Sequence, residues 1–468
     1  MITELPCEAN GYEKTNAETM FVDEKGQYWK PIDGEAKSLW SDEFTIRRDH
    51  QIVYLNNIEN YDLPDMSTIL TGNLSGSAYK HFVTNTEDAS ATDTVSLSNL
   101  TKLDSEGNAY VYRLVGTLVN YETGEALKYN GSTVSVTSDE FTYKQKDGAS
   151  DGGFSKKIEQ VFYFDASDLQ GIAIVATETL QVKNSSGVWQ TIAEESLDTL
   201  KADSEELKNQ SLYVPGIGTL ALGTDTNDHM TNGTGTVKIT DTVSYQNLPG
   251  HVKYTVTGML MKKVKDSDGK ITGEEVKDAF GNTVTAEATF TAADETITSG
   301  TAQVTFEFEA PDDLAGSDVV VYEKISYDDN VFATHEDIED EGQTVHLPKI
   351  KTTAVDEATN EHFGVAVSAN SGNATIIKDA VEYSHLIPGR IYKLKGTLMV
   401  KSTGEPLKDV SGATITAEKE FAAAFESGTE ELEFTIDSSL LSGETVVVYE
   451  NLYYNEIEVA VHDDIEDE

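Results

Sequence analysis

Apolar and polar residues alternate along most of this chain with a period close to two. Tyr112, Leu114, Gly116 and Leu118 alternate with Arg113, Val115, Thr117 and Val119, the pattern of a strand with one face against a core. Thr, Val and Tyr dominate such runs, and clusters of Gly, Asn, Asp and Ser separate them. Apolar stripes at helical spacing stay within two turns; Leu197–Gln210 is the one stretch that reads as a short helix. Many short strands joined by polar turns predict an all-β chain of antiparallel sandwiches.

The pattern repeats. TDTVSLSNL at Thr92–Leu100 recurs as TDTVSYQNL at Thr240–Leu248 and as KDAVEYSHL at Lys378–Leu386. Each is followed by a related strand: YRLVGTLV from Tyr112, YTVTGMLM from Tyr254, YKLKGTLM from Tyr392. A later run holds IAIVATETL in the first copy, VVVYEKISY in the second and VVVYENLYY in the third. The copies are roughly 135–150 residues apart, which makes repetition the organising signal of the fold. The expected domains are 1–62, a partial preceding domain or N-terminal extension; 63–216, a divergent repeat; 217–350, the repeat with the full motif set; and 351–468. The junctions near Pro215 and Pro348 leave little linker, so a rod-like arrangement is expected.

Composition narrows the function. The 468 residues carry 34 Lys+Arg against 82 Asp+Glu, a formal net charge of −48. Such a chain repels nucleic acid and anionic lipid, so neither is an expected partner, and no apolar run is long enough for membrane insertion. Cys7 is the single cysteine, which rules out an intrachain disulfide and gives no hint of a zinc site. DSDG at Asp266–Gly269 could suggest calcium, but the loop register puts Val264 where the first acidic ligand belongs. No cofactor or metal is expected. Within 1–62, Cys7 could be the thiol of a thioester domain, but the segment is too short and offers no suitable Gln; the end of a preceding domain is the simpler expectation.

A set of chemically capable residues recurs in one order. The second copy has Thr219 on its first strand, Asp241 opening the next, Glu323 ending VVVYE, His335 twelve residues later and Gln343 eight after that. The third has Thr352, Asp379, Glu450 and, again after twelve residues, His462. The first offers Thr68, Asp93, Glu178 and Gln210, with Glu195 standing where the histidine would be.

These segments, above all DTVSYQNLPG, VVVYEKISYDDNVFATHEDIEDEGQTV and IKTTAVDEATN, resemble the VaFE repeat of Gram-positive surface proteins over roughly residues 64–468. The resemblance implies immunoglobulin-like or CnaB-like sandwiches that cross-link themselves by an ester between a Thr on the first strand and a Gln on the last. It implies Thr219 as nucleophile and Gln343 as acyl donor losing ammonia. His335, with Glu323, would take the Thr proton, and a protonated Asp241 would polarise the carbonyl. The division of labour among Asp241, Glu323 and His335 is open from sequence.

The function so implied is a stalk segment of a cell-wall-anchored, extracellular adhesin. It would be a monomer, non-enzymatic apart from its single self-directed turnover, and would meet host or surface ligands through domains outside this chain. Alternatives are a Lys–Asn isopeptide stalk, a ligand-binding module for carbohydrate or matrix protein, and a hydrolase using the Thr/His/Glu set. By the spacing of the second copy, the acyl donor of the third falls at position 470, beyond Glu468. The expectation is a fragment whose third repeat lacks its donor and leaves a sheet edge beside Thr352.

Overall fold

The structure is a computed structural model that describes residues 64–100, 109–142, 156–293, 297–364, 375–437 and 443–466, together with the backbone of five short strands between residues 12 and 55. The chain divides into two compact units, Met1–Pro215 and Gly216–Glu468. In the first, Tyr12–Thr15, Phe21–Val22 and Tyr28–Pro31 form a small antiparallel sheet, and Phe44–Arg48 pairs with Gln51–Leu55 as a hairpin. The expectation for Cys7 falls outside the described residues.

Each of the three repeats is an antiparallel sandwich of a three-stranded and a larger sheet. In the second repeat the small sheet orders Gly216–Gly223, Thr236–Pro249 and Ile297–Glu309. The large sheet centres on Lys253–Lys265 and Ser317–Tyr327, with Asn330–His335 and Thr344–Leu347 both paired to the latter. The first repeat repeats this with Asp65–Thr71, Ala89–Ser98 and Lys156–Phe164 facing a six-stranded sheet, the third with Lys349–Asp356, Thr375–Ser384 and Gly428–Ile436 facing a five-stranded one. The alternation in sequence is the alternation of burial: Val111–Asn120 buries Tyr112, Leu114, Gly116 and Leu118, while Arg113, Val115 and Thr117 stay partly exposed.

Tyr112, Tyr254 and Tyr392 occupy the same core position, each nearly fully buried. Tyr254 packs edge-on against Phe332 and stacks on Phe290, with ring centroids 5.2 and 5.4 Å away, and its hydroxyl donates to Pro249 O at 2.9 Å. The apolar body fills the sandwich and the one polar atom is satisfied.

Two local details depart from the sequence reading. Leu197–Gln210 is not one helix but two, α1 (Leu197–Ala202) and α2 (Ser204–Gln210). Asp203 breaks the run because its carboxylate accepts from the Glu205 and Glu206 backbone N–H groups and so starts a new helix. Nor do the two glutamines lie on the final strand: Gln210 ends α2, and Gln343 sits in a bend immediately before Thr344–Leu347.

Within the second unit the turn after Gly216–Gly223 reaches the third repeat. Asp228 accepts from Tyr454 Oη at 2.6 Å and pairs with Arg390 Nη2 at 2.9 Å. Met230, fully buried, belongs to the core of the third repeat.

Candidate functional site

Strand register delivers the same constellation three times. Thr219 lies opposite Val243 and Ala221 opposite Asp241, so Thr219 and Asp241 share the inward face of the small sheet, one diagonal step apart. Thr68 opposite Val95 with Leu70 opposite Asp93, and Thr352 opposite Val381 with Ala354 opposite Asp379, repeat the register. On the facing sheet Glu323 lies opposite His335, Glu450 opposite His462 and Glu178 opposite Glu195.

In the second repeat a tight turn brings the glutamine between the two sheets. Ala221 N–H donates to Gly342 O at 3.0 Å, and Val321 N–H donates to Gln343 O at 3.3 Å. The turn is thus clamped to the threonine strand on one side and the glutamate strand on the other. Gln343 is fully buried, and its Nε2 donates to Asp241 Oδ1 at 3.3 Å. Gln343 Oε1, Thr219 Oγ1, Asp241 Oδ2 and both Glu323 oxygens are buried without a hydrogen-bond partner. A nucleophilic hydroxyl, an amide carbonyl and two carboxyl groups left unsatisfied around one spot are poor for stability. They are what an acyl transfer between Thr219 and Gln343 requires.

The carboxyl pair holds a proton. Burial, and then the charge of Asp241, push Glu323 up to about 11. Burial raises Asp241 as well, opposed by the proximity of Glu323 and by the hydrogen bond from Gln343. Asp241 Oδ1 also accepts from the Gln343 amide, which favours the charged form of Asp241. His335 is oriented by a residue the sequence reading did not single out. Its Nε2 lies 2.7 Å from Asp340 Oδ2, while Asp340 Oδ1 accepts from Gly342 N–H at 2.7 Å. One carboxylate therefore positions both the imidazole and the glutamine turn. The only signal for it was an aspartate three residues before Gln343, inside an acidic run that reads as solvated surface.

The third repeat brings together Thr352, Asp379, Glu450 and His462. Burial raises the pKa of Asp379, opposed by the neighbouring Glu450, His462 and Thr352. In the first repeat Thr68, Asp93, Glu178 and Gln210 are all buried. Burial pushes Asp93 up to about 6, and burial with the charges of Asp93 and Glu195 holds Glu178 well above its ordinary value. Glu195 faces Thr68, whose Oγ1 donates to Glu195 Oε2 at 3.4 Å.

A glycine completes each site. Gly116, Gly258 and Gly396 lie directly opposite Glu178, Glu323 and Glu450. A Cβ at Gly258 would come within 2.6 Å of the Phe306 ring, and one at Gly396 within 2.5 Å of the Phe434 ring. The aromatic ring uses that space and forms the apolar wall that keeps the glutamate dry. In the first repeat the wall includes Gln160, buried opposite Asp93 where the other repeats have Val304 and Leu432. Gly258→Ala should cost about 1–3 kcal/mol through overpacking against Phe306. Urea unfolding of the variant measures it, and an unchanged midpoint would show that the ring moves aside freely.

A family model described as T-Q ester bond containing domain matches the chain three times, over residues 64–208, 215–347 and 348–468. No curated protein matches it. Among solved structures, it is similar to a bacterial adhesin from Mobiluncus mulieris containing intramolecular disulfide, isopeptide and ester bond cross-links. Two crystal forms of that adhesin match. One shares 15% identity over 52% of this chain and 80% of that one, at a TM-score of 0.21. The other shares 16% identity over 51% and 80%, also at 0.21. Escherichia coli alpha-2-macroglobulin activated by porcine elastase matches at 11% identity over 94% of this chain and 38% of that one, with a TM-score of 0.18. At these TM-scores the structural likenesses carry no weight for function.

Proposed function

The chain belongs to the T-Q ester bond containing domain family, and from that membership we propose that it is a stalk segment of a bacterial cell-surface adhesin whose repeats cross-link themselves through Thr–Gln esters. The supporting observation is the second repeat's enclosed set, with Thr219 Oγ1, the Gln343 amide and the Asp241–Glu323 pair sealed between the sheets.

The chemistry balances within that set. His335, oriented by Asp340, takes the Thr219 proton as Oγ1 bonds to Gln343 Cδ. The Glu323 carboxylic acid donates a hydrogen bond to the carbonyl oxygen as negative charge develops there. Asp241 holds the departing nitrogen. The C–N bond breaks, the proton passes from His335 to nitrogen, and ammonia leaves. Folding supplies the proximity. The product joins the edge strand of one sheet to the segment leading into the last strand of the other. A pull on the ends of the domain then loads a covalent bond.

Burial favours this reading over a hydrolase, because Asp241, Glu323 and Gln343 face no open cleft. An isopeptide stalk is disfavoured by Lys349 and Lys351, the lysines nearest Thr352 on its strand, which are exposed on the outer face. Peptide mapping of the denatured protein tests the proposal. The expected result is a branched peptide containing Thr219 and Gln343, lighter than the two separate peptides by one ammonia. Recovery of both as unmodified linear peptides from folded protein overturns it.

A further inference from the structure

The first repeat replaces the histidine with Glu195 and inserts two helices before its glutamine. Where His335 to Gln343 is a turn of eight residues, Glu195 to Gln210 is fifteen. The inserted segment does not displace the site. Helix α2 packs on the strand carrying Thr68 and on the strand carrying Glu178, and Gln210 at its end is fully buried with both amide atoms unpartnered. Glu206, one helical turn before Gln210, is hydrogen-bonded to Glu195. Asp340 stands three residues before Gln343 and binds His335. A carboxylate one turn ahead of the glutamine, gripping the residue opposite the buried glutamate, is thus common to both repeats. A helix supplies it in one and a tight turn in the other.

We propose that Glu195 is the catalytic base of the first repeat and Glu206 its positioning residue, an acid–carboxylate pair standing in for the His335–Asp340 pair and directed at a Thr68–Gln210 ester. The inference rests on the ester-bond reading of the second repeat. Glu195 takes the proton from Thr68 Oγ1, to which it is already hydrogen-bonded, as that oxygen bonds to Gln210 Cδ. The C–N bond breaks, and the proton passes from Glu195 to nitrogen, which leaves as ammonia.

An ordinary carboxylate is too weak a base for a hydroxyl at neutral pH. Burial, followed by the charge of Glu206, lifts Glu195 to about 8; at neutral pH roughly a tenth of it is then ionised, and that fraction accepts the Thr68 proton with a driving force an ordinary carboxylate lacks. The titratable groups facing Glu195 among the described residues are Glu206 from α2, Glu178 from the paired strand and Asp93 from the opposite sheet. Asp203 and Asp65 face Glu206 in turn. All are acidic, so the first repeat's basicity comes from crowded carboxyls in place of an imidazole.

The test is peptide mapping of the full chain and of its Glu195→Gln and Glu206→Gln variants. A branched Thr68–Gln210 peptide is expected in the parent, absent in Glu195→Gln, and formed at least tenfold more slowly in Glu206→Gln. In a Thr68→Ala background, where no ester can form, Glu206→Gln should not lower the melting temperature, which separates positioning from structural support. The Thr219–Gln343 peptide serves as the internal reference. If it forms while Thr68–Gln210 does not, or if Glu195→Gln still forms the first ester, this inference fails and the ester-bond reading stands. If neither branched peptide forms in the parent, the ester-bond reading itself fails.

Discussion

Thr219→Ala is expected to leave the second repeat folded, heavier by one ammonia once the substitution is allowed for, and less stable by about 5 kcal/mol. The figure comes from the chain-entropy treatment of covalent cross-links applied to a closed loop of about 125 residues. For a domain of this size it corresponds to a fall in melting temperature of roughly 15–20 °C. The fold itself should survive, because Thr219 contributes no hydrogen bond through its side chain and sits on an edge strand whose core neighbours are unchanged. Glu323→Ala should produce the same loss of cross-link by another route, since it removes the acid that stabilises charge on the Gln343 carbonyl oxygen. Calorimetry with intact mass on the same samples checks both. A Thr219→Ala protein that melts with the parent would show that no covalent link was present to lose.

Much of this site was legible in the sequence because it is written in strand register. Alternation put Thr219, Asp241 and Glu323 on inward faces, and the twelve-residue spacing from Glu323 to His335 is the length of a hairpin that sets them opposite each other. Repetition separated these positions from the many other Thr and Glu residues. What stayed hidden depended on turns and on electrostatics. Asp340 and Glu206 reach the site only because a bend and a short helix fold back over it, and each lies within a run of acids whose ordinary fate is solvation. Gly258 sits within an ordinary strand pattern, and only the packing of the two sheets reveals its close approach to Phe306. The location of the proton was also out of reach. Two carboxyls with similar intrinsic acidity are separated only by their surroundings: Asp241 touches an amide, and Glu323 faces an apolar wall.

That protonated glutamate gives the second large effect, seen once the cross-link is removed. In a Thr219→Ala background, adding Glu323→Gln is expected to stabilise the folded repeat at neutral pH by about 3 kcal/mol. In the unfolded chain a glutamate releases its proton near 4.5, whereas in the folded repeat burial and Asp241 hold it to about 11. Folding at any pH between these values must take up a proton, so this group's contribution is most favourable below about 4.5 and is lost steadily as pH rises through the window. The loss is about 1.4 kcal/mol per unit, which by pH 7 amounts to about 3 kcal/mol. Glutamine fills the same space without that requirement. Urea unfolding of the single and double variants across pH 4–9 should therefore show curves that meet near pH 4 and diverge upward. A gap that is constant with pH, or that widens toward acid, would mean that Glu323 is ionised in the folded state and could not serve as the hydrogen-bond donor. With the expected outcome, Glu323 is a residue that weakens the repeat before cross-linking, and the cross-link it helps to form more than offsets the loss.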